Sequence, residues 1–201
     1  MADGSFLMST PKISNLNFII YIIIILKYNY LLHPVTPSPN KLPSAICTIN
    51  LSPHFTLGEL TKTSYKTEDQ NIPSRVAIEN LKNLCENWLE DLRYSYNTLY
   101  PRVCPQEEIP LVINSGYRSP EVNKRAGGSS TSNHLTGCAV DIRVSGFEQA
   151  IRYASILLDI SDGTKRDFDE LYIERNKTGS HWIHFAVRPK GNRRKIDFIK
   201  V

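Results

Sequence analysis

The strongest constraint on the fold is the stretch RVAIENLKNLCENWLEDLRYSYN, which begins at Arg75. Ala77, Leu81, Leu84, Cys85, Trp88, Leu92 and Tyr96 recur at steps of mostly three and four, and the residues between them are largely charged or amide-bearing. That period places one apolar stripe along a helix and requires a partner layer to cover it. The partners follow in the chain. LVIN (Leu111–Asn114), CAVDIRV (Cys138–Val144), DELYIER (Asp169–Arg175) and HWIHFAV (His181–Val187) are short runs rich in β-branched and aromatic residues, as strands are. GFEQAIRYASILLDI, between the second and third, carries its apolar residues at mostly helical spacing. Helices preceding and interrupting a few strands predict an α+β fold with a small, mainly antiparallel sheet and flanking helices. Earlier still, Thr56 with Glu59 three residues on has the reciprocal capping pattern that opens a short helix.

The chain has 201 residues and a formal net charge of +4, the mark of an ordinary globular protein with mild attraction to polyanions and no case for nucleic-acid binding. Lys190, Arg193, Arg194 and Lys195 concentrate the excess near the end, and residues 191–201 read as a solvated basic tail. At the other end, FIIYIIIIL (Phe18–Leu26) holds nine apolar residues, about half of the ~20 that span a bilayer. It has the length of a signal-peptide core, and a signal or membrane anchor stands beside a non-native leader as the alternative. The proline-rich HPVTPSPNKLPS after it reads as an extended linker, so residues 1–49 form a leader and the folded domain spans 50–190. Cys47, Cys85, Cys104 and Cys138 contain no CxxC pair; buried free thiols and a Cys85–Cys104 disulfide are both open.

The chemistry concentrates in SNHLTGCAVDIRV, where His134 and Asp141 lie seven positions apart. A catalytic zinc takes three ligands from His, Asp or Glu and keeps one position open. His134 and Asp141 supply two if Gly137 lets the loop fold back tightly. Buried in an otherwise apolar strand, an unpaired Asp141 would be costly. HWIH offers a third ligand. In a strand His181 and His184 lie on opposite faces, so only one of them points at the ion.

SGYRSPEVNKRAGGSSTSNHLTGCAVDI, followed by FDELYIE and WIHFAV, resembles the zinc D-Ala-D-Ala carboxypeptidase and endolysin peptidase family of the short bacterial and phage type. Its fold is shared with the hedgehog signalling domain. The likeness covers roughly Leu51 to Pro189. It implies a hedgehog/DD-peptidase-like fold, Zn2+ held by His134, Asp141 and His184, and hydrolysis of peptidoglycan stem peptides, by release of a terminal D-Ala or by cleavage of an internal bond such as L-Ala to D-Glu. Arg118 matches the family arginine that binds a substrate carboxylate or carbonyl, a task suited to a fixed guanidinium fork. Tyr117 and Ser132 would orient substrate or a ligand, while Gly127 and Gly128 shape the loop crossing the site.

One position departs from the pattern. Many relatives carry Glu or Asp three residues before the last zinc histidine, and here that residue is His181. Glu174, at the end of the DELYIE strand, and His181 are the two candidates for the base. Asp169 and Glu170 read as exposed charges at a strand entry, with a cap over the site from outside as the alternative, and Trp182 as a core residue, with a place along the substrate groove as the alternative. The non-acidic position 181 keeps open a zinc-binding or wall-binding module of a phage or prophage particle that does no catalysis. A wall substrate implies the cell envelope, or the cytoplasm until phage release.

Overall fold

Thr56 starts the first helix. Its side chain accepts from the Glu59 backbone N–H, and the Glu59 carboxylate accepts from Thr56 N–H at 2.9 Å, so both exposed donors of α1 (Leu57–Leu60) are satisfied. The computed structural model describes residues 48–68, 70–100 and 108–201. Most of the leader and linker, with Cys47 and Cys104, lies outside the described residues. Among those described, no helix is long and apolar enough to cross a membrane, and Cys85 and Cys138 are buried free thiols.

Ser74 caps α2 (Arg75–Leu84), its hydroxyl accepting from Ala77 N–H at 3.2 Å. The helix runs on through one wide π-helical turn, Cys85–Leu89, into α3 (Glu90–Leu99). Every residue of the predicted stripe is buried, and the wide turn adds Leu89, at the stripe's edge, to the core. Behind the stripe, Trp88 meets Phe168 edge-on at 6.4 Å and Phe185 at 5.1 Å, joining the helical layer to the sheet.

The sheet has five strands: β1 (Ile113–Ser115), β2 (Ala139–Arg143), β3 (Glu170–Arg175), β4 (His181–Ala186) and β5 (Lys195–Lys200), in the spatial order β1-β2-β4-β3-β5. Three pairings are antiparallel and β3·β5 is parallel, which agrees with the mainly antiparallel α+β expectation. Two further helices lie among the described residues, α4 (Pro120–Arg125) and α5 (Phe147–Thr164), the second packing on β3, β4 and α3. Val140, Ile142, Leu171, Ile183 and Phe185 turn one face of the sheet into the core. Asp141, Tyr172 and His184 are register partners, so they sit side by side on the opposite face.

The C-terminal residues depart from expectation. The segment read as a solvated basic tail forms β5, because Ile196 and Phe198 alternate with Lys195 and Asp197 at strand period. Arg193 and Arg194 are ion-paired back onto the domain, to Asp169 and Glu170 and to Asp162 respectively.

Candidate metal centre

His134 sits in a 3-10 turn, Asn133–Thr136, whose N-cap hydroxyl, Ser132 Oγ, accepts from His134 N–H at 3.3 Å. Gly137 closes the turn with φ +70°, and a Cβ there would lie 2.4 Å from the Ala77 carbonyl oxygen of α2. Only glycine combines that backbone angle with that approach. The imidazole is fixed at its outer edge as well. Its Nδ1 lies 2.6 Å from the Gly116 carbonyl oxygen, which can only accept, so Nδ1 carries the hydrogen and Nε2 is left with its lone pair. Gly116 is itself pressed against α1, where a Cβ would come within 2.3 Å of the Leu60 carbonyl oxygen.

The bare Nε2 faces Asp141. Oδ1 of that carboxylate is 3.3 Å from His134 Nε2 and 3.0 Å from His184 Nδ1, while Oδ2 accepts from Arg118 Nη2. One atom from each of His134, Asp141 and His184 falls within 4.8 Å of the others, and all three residues are buried. Burial pushes the Asp141 carboxyl up, but the neighbouring histidines outweigh it and hold the group far below the usual carboxylate range. Burial likewise drives His134 down, toward the neutral form a ligand must have. His184 goes the other way: against the effect of burial, its bonds to Asp141 and Glu170 push it up to about 9. Two imidazole nitrogens and a carboxylate that converge in a buried cluster, with outer ring nitrogens already occupied, fit the ligand set of zinc.

That outer nitrogen of His184 leads to a second group of residues. Nε2 lies 3.3 Å from Glu170 Oε2, and the ring stacks on Tyr172 with centroids 5.5 Å apart. Asn133 Nδ2 donates to Asp169 Oδ2 at 2.8 Å and to Glu170 Oε2 at 2.9 Å. Neither acid is the exposed entry charge expected of it. Asp169 is fully buried, paired by Arg193, and Glu170 is held down to about 2, chiefly by its hydrogen bond with His184.

A family model described as Peptidase M15 matches residues 53–166, more than half of the 201. The chain belongs to the peptidase M15 family. That family is of the zinc D-Ala-D-Ala carboxypeptidase type, and the α+β architecture is compatible with its fold. No curated protein matches the chain. His134 and Asp141 lie inside the matched segment of this M15 domain; His184 lies beyond it and reaches the cluster through the β2·β4 register.

The remaining predicted residues divide clearly. Glu174 shares the metal-site face of β3 with Glu170 and Tyr172 and stands opposite Trp182. Burial, reinforced by the Asp141 charge, raises its carboxyl above the ordinary value, although His184, Arg118 and the Trp182 indole hydrogen bond oppose this. His181 is on the other face. Its ring packs against Phe147 at 5.3 Å and Phe198 at 6.5 Å, on the face of the sheet away from Asp141 and His184. Trp182, expected in the core, instead shares the His184 face and is only half-buried. Tyr117 moves in the opposite direction: expected at the substrate, it belongs to the hydrophobic core cluster and its backbone N–H bonds the Leu60 carbonyl at 2.7 Å. Ser132 orients the His134 turn, as described. Arg118 donates from Nε to Ser115 Oγ at 2.8 Å and from Nη2 to Asp141, so it braces the Asp141 carboxylate. Gly128 packs on the Asn123 side chain, shaping the loop before the 3-10 turn. Sequence reasoning missed Asn133 and Arg193, and of its two readings of Asp169 and Glu170 the exposed one fails, while the place of Glu170 against His184 is closer to the capping one.

Proposed function

We propose that this M15 protein is a zinc-dependent peptidase that hydrolyses peptidoglycan stem peptides, with His134, Asp141 and His184 as ligands and Glu174 as general base. The observation that carries the reading is the buried convergence of the three ligand atoms within 4.8 Å, on the sheet face that also holds Glu174. Zinc in such a cage polarises a peptide carbonyl and acidifies water. Glu174, with a carboxyl raised toward neutrality, takes a proton from the attacking water and returns it to the leaving amine nitrogen. With one hydrogen of Nε given to Ser115 and one of Nη2 to Asp141, Arg118 keeps three of its five N–H donors, the pair on Nη1 among them, for a substrate carbonyl or carboxylate oxygen. The wall as substrate implies action at the cell envelope.

The test is mass spectrometry of purified muropeptides incubated with zinc-loaded protein. New products are expected, and fragments ending inside the stem peptide would identify an endopeptidase. Release of terminal D-Ala alone would support the carboxypeptidase, and no product from any stem peptide, at full zinc occupancy, would leave a binding module.

A further inference from the structure

Arg193 lies in the turn before β5, outside the segment matched to the family, yet it reaches the metal-site face. Its Nε and Nη2 donate to the two Asp169 oxygens at 2.8 and 2.7 Å, and its backbone N–H adds a third bond to Oδ1 at 3.2 Å. Nη2 also donates to Glu170 Oε1 at 2.5 Å. The neighbouring backbone N–H groups of Arg194 and Lys195 bond the carbonyls of Phe168 and Asp169 at 2.9 and 3.0 Å. The C-terminal segment is thus stapled to the start of β3. For the staple itself, buried Asp169 suffices, since it already accepts from both Arg193 and Asn133.

Glu170 is surplus to that anchor and does something else. Its Oε2 accepts from His184 Nε2 and from Asn133, the residue next to His134, and the neighbouring Tyr172 on the same face of the strand stacks its ring on His184. Because a carboxylate only accepts, Glu170 holds a hydrogen on Nε2 when His184 is in the neutral form that a ligand must have, which leaves Nδ1, on the Asp141 side, as its ligand atom. We propose that Glu170, held by Arg193 from the C-terminal segment, is a positioning residue of the metal centre, fixing the tautomer and tilt of His184 and tying the His134 turn to the same point. This rests on the reading that His134, Asp141 and His184 hold the ion.

Zinc affinity of the full chain, measured by competition with a chromophoric chelator, tests the proposal without any turnover assay. Glu170→Ala should bind zinc on the order of 10–100-fold more weakly, the usual effect of removing the partner of a ligating histidine. Glu170→Gln, whose amide oxygen still accepts from Nε2, should recover most of that loss, and the visible bands of the cobalt-substituted protein should shift in the alanine variant and return in the glutamine one. Arg193→Ala should weaken binding in the wild-type background and add nothing to Glu170→Ala. Because Arg193→Ala also strips buried Asp169 of its main partner, the Glu170 variants decide, with Glu170→Met replacing Glu170→Ala if the latter fails to fold. Wild-type affinity in Glu170→Ala, or equal losses in the alanine and glutamine variants, overturns the inference. A wild-type chain that takes up no zinc refutes the reading of the site itself, a distinguishable result.

Discussion

Gly137 is where helix packing and metal chemistry meet, and substituting alanine there has a magnitude that can be worked out. The first part is conformational: at φ +70°, an L side chain costs about 1–2 kcal/mol relative to glycine. The second is steric. The new Cβ would stand 2.4 Å from the Ala77 carbonyl oxygen, where contacts tighter than 3.4 Å are already uncommon and those under 3.0 Å essentially do not occur, so backbone must move by 0.6 to 1.0 Å. That oxygen belongs to the first turn of α2 and has no rotamer in which to retreat. Overpacking of this kind typically adds about 1–3 kcal/mol. At roughly 2–4 °C per kcal/mol for a domain of this size, Gly137→Ala should melt about 5–15 °C below wild type in the metal-free state. Gly191 supplies the control, having the same φ of +70° and nothing within 4 Å of the place a Cβ would take, so Gly191→Ala should show the conformational part alone. The assay is thermal unfolding of both variants by circular dichroism, followed by zinc titration, where displacement of the turn should also weaken the His134 contribution. Equal melting temperatures for the two variants would refute the close-approach argument.

Other outcomes follow from the same geometry. Glu174→Gln should lose about 10²–10⁴-fold in turnover on muropeptides while keeping stoichiometric zinc, whereas His181→Ala, on the opposite sheet face, should keep its turnover; the reverse result would reassign the base. His134→Ala should abolish tight zinc uptake measured by metal analysis after dialysis, and retention would remove His134 from the ligand set. Burial pushes Asp169 up, but hydrogen bonds from Arg193 and Asn133 prevail and hold its folded value below 3.8, so its stabilisation is fully present above that pH and is lost as pH falls through the folded value. Asp169→Asn should therefore be less stable than wild type at about pH 6 and show a shallower loss of stability below about pH 4 in urea melts; parallel acid limbs would contradict the pairing.

What was legible in the chain follows from how local its cause is. The stripe from Ala77 to Tyr96 is a short-range periodicity, and it is buried throughout; the π-helical turn inside it is invisible because the same apolar residues satisfy either winding. Asp141 stands out because a carboxylate in an apolar strand needs a partner, and His134 and His184 because strand alternation and the Gly137 turn leave them few directions. Glu170 could have been found from Glu174, since the two lie on one face of the same strand. Arg193 could not. Nothing local links a basic residue to a carboxylate some twenty positions earlier, and the positive cluster around it masked the alternation of KIDFIK that builds β5.

The register of β2 against β4 converts these pieces into a site, and the core sets that register. Ile142 pairs with Ile183, and Val140 with Phe185, each fully buried on the core face; between them Asp141 pairs with His184 on the other. A slip of one residue would carry Ile183 and Phe185 out to the cleft and drive His184 into the apolar layer behind Trp88. Each displaced large apolar side chain forfeits about 1.5–3 kcal/mol of burial, and an imidazole without a partner adds its own desolvation cost. Residues outside the cluster therefore exclude every arrangement in which His184 misses His134 and Asp141, and the third member of the proposed ligand set can sit beyond the segment that carries the family pattern.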